Sequence, residues 1–207
     1  YGPEEGVAKI IGNVSISGNA SGEITLRNIK ITGNLIVNTP YATVNNYANV
    51  DGITTINGVK EGTWNEKISG NKLVFNAEDR TLKIANDITV GSLEINKNAT
   101  VIASKPIRAK AEKGVTVIVK ANEEDQGTEI KAPENGGEIE LKPVEKYTVT
   151  FDSNGGTKVD AIKVEKNGTI ELPEPPTKSG YKFIGWYTDK ETLKNEFTKE
   201  TKVTADI

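Results

Sequence analysis

Short runs of alternating apolar and polar residues, each entered through a glycine, recur between Gly12 and Val119: residues 12–17, 33–38, 52–57, 70–76, 91–96 and 114–119. Successive glycines are 21, 19, 18, 21 and 23 residues apart, and Asn38, Asn57, Asn76 and Asn96, which close four of the runs, are 19, 19 and 20 apart. Side chains two apart on a strand share a face, so Leu35 with Val37, Thr54 with Ile56, Leu73 with Phe75, and Leu93 with Ile95 point the same way. Two further series keep the same period. Ile24 and Leu26 lead to Asn28, Ala42 and Val44 to Asn46, and Leu82 and Ile84 to Asn86, while Ile31, Val50, Ile68 and Ile88 form the third. Three strands per turn of about 19 residues predict a three-sided parallel β-solenoid.

No single turn of such a solenoid can bury its inward side chains, so each relies on the turns above and below. Stacked asparagines at the corners can bond one another and fix the register, which makes Asn38, Asn57, Asn76 and Asn96 a predicted structural ladder. Six turns at roughly 4.8 Å each would give a rod on the order of 25–30 Å long. The competing reading is a β-sandwich with regularly spaced turns, which expects 8–12 residues per strand and turn. It leaves the joint recurrence of glycine, asparagine and inward pairs unexplained. Polar, turn-rich stretches at 121–127 and 133–137 are expected to cap the solenoid or form its last irregular turns.

Past residues 143–146, which read as a linker, the pattern changes to strands carrying aromatic residues. Residues 147–152 alternate, and Ser153 to Gly156 supply a tight turn, the signal of a hairpin. The next strand carries Val159, Ile162 and Val164. Asn167 and Gly168 turn the chain into residues 169–172, and Pro173, Pro175 and Pro176 stop further pairing.

The ordered set Tyr147-Thr-Val-Thr-Phe-Asp-Ser-Asn-Gly-Gly156, Pro176 to Lys178, Gly180-Tyr-x-Phe-x-Gly-Trp-Tyr187, Thr188-Asp189 and the stretch from Phe197 to Thr204 resembles the Listeria–Bacteroides repeat, a compact β-grasp-like module also seen as the B repeat of internalin-type proteins. The resemblance implies a unit found in tandem in large secreted or wall-attached bacterial proteins, serving as a stalk or interaction module without catalysis. The first module resembles, more loosely, solenoid segments of bacterial adhesins and S-layer-associated proteins. The domain reading is therefore a solenoid with a polar cap over 1–142, a linker at 143–146 and the repeat module over 147–207. The fold class is all-β. Tyr147, Phe151, Tyr181, Phe183 and Trp186 are expected to form the core of the small module, because little else of their size exists to bury there. An exposed aromatic platform for saccharides is the rival reading of the same cluster.

Composition narrows the chemistry. The 207 residues contain no Cys, His or Met, which removes thiol nucleophiles, imidazole bases and soft metal ligands together. Lys+Arg 26 against Asp+Glu 29 leaves a net charge of -3 with no basic block, so nucleic acid is not an expected partner. No apolar run approaches the roughly 20 residues of a membrane helix, so no spanning segment is expected. The chain starts at Tyr1 without a leader, and any signal peptide is expected to have been removed or to lie outside the sequence. Absence of Cys fits export from a Gram-positive cell.

Parallel solenoids also host polysaccharide lyases and hydrolases, which need converging carboxylates. Here Glu23, Asp51, Glu61, Glu66, Glu78, Asp79, Asp87 and Glu94 fall at different phases of the repeat, and only Glu78 and Asp79 beside Arg80 make a local group. Glu123 to Asp125 lack the ligand spacing of a calcium loop. No catalytic residue, cofactor or metal is assigned.

The expectation is a non-catalytic, extracellular cell-surface module: a stalk, an adhesin that binds a host or cell-wall ligand, or a subunit that assembles with copies of itself into a filament or S-layer. For the assembling version, the extended N-terminal segment with Val7, Ile10 and Ile11 is the expected strand donor.

Overall fold

The computed structural model describes residues 2–60 and 64–207, of which Glu61 is therefore not one. It divides into two compact units, Tyr1–Pro143 and Val144–Ile207. The second unit takes in Val144 to Lys146, and Lys146 already opens its first strand, Lys146–Val149.

The first unit is a parallel β-solenoid. One long face stacks Val14–Ser17, Leu35–Asn38, Ile53–Gly58, Lys72–Phe75, Ser92–Ile95 and Ile107–Ala111 in parallel. The other stacks Gly22–Leu26, Ala42–Asn46, Trp64–Glu66, Arg80–Ile84, Ala99–Ile102 and Thr116–Lys120. The inward columns follow the alternation of the sequence. Leu35, Thr54, Leu73 and Leu93 pair in register, as do Val37, Ile56, Phe75 and Ile95, and all eight are buried. On the second face Ile24, Val44, Trp64, Leu82, Val101 and Val119 make one continuous stack. Each side chain thus reaches its neighbours only across turns, and the core is a set of columns sharing one axis.

The third face departs from the sequence expectation. It is a sheet only where Ala8–Ile10, Ile29–Ile31 and Asn49–Val50 pair, and Ile68 and Ile88, the later members of the series, lie outside strands. Side chains replace main-chain rungs there. The Val50 amide donates to Asn71 Oδ1 at 3.0 Å, and the Thr89 amide to Ser69 Oγ at 3.0 Å. The first strand, Ala8–Ile10, is an edge strand paired with Ile29–Ile31, so the segment named as a strand donor takes part in its own solenoid.

The polar stretches lead into two antiparallel strands that close one end. Thr128–Lys131 pairs with Thr116–Lys120, and Gly137–Leu141 with Ile107–Ala111. Reversing direction ends the repeat, because an antiparallel strand no longer offers a parallel turn its register.

The second unit holds two antiparallel pairs, Lys146–Val149 with Ile162–Glu165 and Trp186–Tyr187 with Glu196–Phe197. Asn154 and Gly155 both have positive φ (49° and 80°), and the Gly156 amide donates to the Ser153 carbonyl at 3.0 Å, which makes the expected tight turn. Residues 169–172 form no strand. Val203 exchanges backbone bonds with Asn167 and Gly168 instead. The core consists of Val149, Val164, Ile170, Trp186, Phe197 and Val203.

Candidate functional site

Three arrangements stand out from the packing. The first is the corner ladder. Asn76 Nδ2 donates to Asn57 Oδ1 at 2.8 Å, and Asn96 Nδ2 to Asn76 Oδ1 at 2.9 Å. Asn38 stands elsewhere, because the register shifts after Val37 and sets it opposite Gly58. A second asparagine series, unmarked in the sequence reading, lines the corner just past the glycines. Asn13 Oδ1 accepts the Asn34 amide at 2.8 Å, and Asn34 Oδ1 accepts the Ile53 amide at 2.9 Å. These bonds satisfy amides that the turning chain would otherwise leave without a strand partner.

The second arrangement was hidden among the scattered carboxylates. Glu66 is fully buried, inward on its strand between Asn46 and Ile84. Its carboxylate accepts from Asn46 Nδ2 (3.0 and 3.1 Å), Trp64 Nε1 (3.1 Å) and Asn71 Nδ2 (2.9 Å). Every one of these neighbours donates, which favours the ionised form, but burial outweighs them and pushes the carboxyl up to about 7. Asn46 and Asn71 pass the bonding on, through Asn46 Oδ1 to the Ala48 amide and Asn71 Nδ2 to the Ala48 carbonyl. The cluster is a closed polar plug in an apolar column. Glu78 and Asp79, the local acidic group noted from sequence, are exposed instead. Among the described residues no three acidic side chains gather into a metal-holding group.

The third is an aromatic groove in the second unit, with a cavity of about 500 Å³ bounded by Phe151, Tyr181, Phe183, Trp186, Phe197 and Ile207. Phe151 and Phe183 flank Trp186, with ring centroids 4.8 and 5.2 Å from it. Tyr147, Phe151 and Phe183 pack half-buried on the core, and Trp186 belongs to it. Tyr181 does not: it is 73% exposed at the rim, with Lys178 Nζ 4.4 Å above its ring. Gly180, with φ of 80°, turns the chain outward just before it, and the core places are taken by Val149, Val164 and Val203. Lys190 binds Asp152 at 2.9 Å and holds that carboxyl below its usual range. Asp189 caps its loop, accepting from the Thr192 hydroxyl and the Asn195 and Lys194 amides, and its carboxyl is also lowered, first by Thr192.

Residues 147–207 match the Listeria-Bacteroides repeat domain family. Over 60 residues the chain is 42% identical to a protein of Evansella cellulosilytica whose name assigns it provisionally to the membrane, covering 29% of this chain and 9% of that protein. It is 45% identical over 47 residues to internalin H of Listeria monocytogenes, covering 23% of this chain and 8% of that one. The chain thus spans less than a tenth of the length of these relatives. No solved structure matches it.

Proposed function

We propose that the chain is a non-catalytic structural or adhesive module of a bacterial extracellular surface protein. The observation that carries this reading is the match of residues 147–207 to the Listeria-Bacteroides repeat domain, beside the partial matches to internalin H and to the Evansella protein. The solenoid is consistent with it: Asn57, Asn76 and Asn96 are engaged in a corner ladder, and Glu66 in a closed cluster with Asn46, Trp64 and Asn71. No helix among the described residues is long and apolar enough to cross a membrane.

The test of location is protease shaving of intact cells that produce the parent protein, followed by immunodetection of this segment. Release of the segment from whole cells is expected. Recovery from the cytosolic fraction alone would overturn the reading. The non-catalytic part is checked by incubating the chain with acidic polysaccharides, with and without Ca²⁺. No product is expected, and product release that disappears in Glu78→Ala or Asp79→Ala would count against it.

A second version, in which the chain is a self-assembling subunit of a filament or S-layer of a Gram-positive cell, is favoured by one feature. Among the described residues Ala8–Ile10, Val14–Ser17 and Gly22–Leu26 are edge strands, the kind of edge onto which another chain can pair.

A further inference from the structure

Two successive turns of the solenoid part from one another where the third face meets the first long face. Between Arg80–Ile84 and Ser92–Ile95 the chain takes seven residues, 85–91, along the third side, and between Ala99–Ile102 and Ile107–Ala111 only four, 103–106. The shorter side cannot cover the longer one beside it. Ser92–Ile95 and Ile107–Ala111 pair only through Glu94 with Lys110 and Ile95 with Ala111, so the two strands diverge toward Gly91 and Ile107. A cavity of about 250 Å³ opens there. Its walls are internal turns of the chain, with described strands before and after them.

The lining carries one sign of charge. Ile84, Ile88, Val90 and Ile107 supply aliphatic surface, Lys105 and Arg108 are exposed beside it, and among the described residues no Asp or Glu lines the cavity. The alternation that buries Ala109 and Ala111 sets Arg108 on the outer side of its strand. It stands opposite Glu140 in the register, yet neither Arg108 nor Lys105 has an ion-pair partner among the described residues. On the short side the amides of Ser104 and Lys105, two in succession, donate to no other described residue, and Pro106 has no amide proton. Consecutive unpaired amides with cations beside them attract an anion, and a planar guanidinium suits a carboxylate. The isoleucines call for an aliphatic group next to that charge, and among the described residues no aromatic ring lines the cavity for a sugar to stack upon.

We infer that this cavity captures the C-terminal carboxylate of a partner polypeptide, held by Lys105, Arg108 and the amides of residues 104 and 105, with the partner's last, aliphatic side chain against Ile84, Ile88 and Ile107. The inference rests on the adhesive reading of the function and gives it a site and a ligand class. A polypeptide C-terminus meets both halves of the lining at once, because its carboxylate and its last side chain sit on the same carbon.

The test is an NMR titration of the full, isotope-labelled chain with three probes: acetylated Gly-Gly-Ile with a free carboxylate, the same peptide as its carboxamide, and glucuronate. The carboxylate peptide is expected to move the amide signals of Ser104, Lys105 and Arg108 and to bind roughly tenfold or more tightly than the carboxamide, which lacks the charge. Lys105→Gln and Arg108→Gln together, both at exposed positions, should remove that preference and leave the unfolding midpoint unchanged. Equal affinity for the carboxamide would overturn recognition of a carboxylate. Signals that move elsewhere, or not at all, would overturn the site. Glucuronate binding at the same amides as tightly as the peptide would overturn a polypeptide as the partner. In each of these cases the surface-module reading is decided separately, by release of the segment from whole cells, which does not depend on this cavity.

Discussion

Thr54 occupies an inward place in the column Leu35, Thr54, Leu73, Leu93, and it is completely buried. Its hydroxyl has no hydrogen-bond partner. A methyl group of nearly the same shape would give up nothing and remove a desolvated oxygen. Thr54→Val is expected to stabilise the solenoid by about 1 kcal/mol in chemical denaturation. Glu66 is the opposite case, a buried carboxyl with every oxygen bonded. Its value of about 7 in the folded chain lies above the ordinary 4.5, so the folded state holds its proton more tightly than the unfolded chain does. The resulting stabilisation is full below about pH 4.5 and is lost as pH rises through about 7, on the order of 3 kcal/mol in all. Glu66→Gln cannot titrate. It is expected to flatten this part of the profile, and melting temperatures of both chains at pH 5 and pH 8 check it: the wild-type chain should lose more on going to pH 8.

At the scale of the strand and its corner, Gly33, Gly52 and Gly91 are required by contact, whereas Gly12, Gly70 and Gly114 sit at positive φ with open space around a Cβ. A Cβ on Gly52 would lie 2.3 Å from Asn34 Oδ1 and 2.6 Å from the Gly33 carbonyl oxygen, because the corners of successive turns stack directly. Gly52→Ala is expected to cost about 2 kcal/mol by forcing turns apart, read as a lower denaturation midpoint. Much of this was legible beforehand. The 19-residue period gave the columns, since a strand's parity leaves only one face for Leu35 and Val37 to share. The ladder was legible as a pattern but not in full detail, because the register shift after Val37 has no mark in the sequence and moves Asn38 out of line. Glu66 was missed for a related reason. An acidic residue reads as solvated until the pairing of Trp64 with Val44 fixes its strand's parity and turns residue 66 inward. The third face was over-read as well, since apolar spacing at Ile68 and Ile88 cannot distinguish a strand rung from an amide held by Asn71 or Ser69. In the second unit Tyr181 was placed in the core by size alone, whereas aliphatic residues from distant positions fill it.

At the scale of the whole solenoid, the antiparallel strands that close its C-terminal side govern how its sheet edges meet other chains. Toward its C-terminal side the parallel stack meets two antiparallel strands, and Ile139 and Leu141 on the second of them are buried. The cap covers the free edges of Ile107–Ala111 and Thr116–Lys120, which would otherwise present rows of unpaired amides and carbonyls ready for another chain. Its hold depends on few side chains, with Leu141 wholly buried opposite Ile107. A carboxylate there would be desolvated beside an apolar column, so Leu141→Asp is expected to release the cap at neutral pH while leaving the columns nearer the N-terminus intact. The released edge then becomes sticky. Light scattering on the eluted protein should show larger species for Leu141→Asp than for wild type at the same concentration, with the strand signal in circular dichroism retained. A variant that stays the size of wild type with its strand signal intact would mean that the antiparallel strands do not protect the edge.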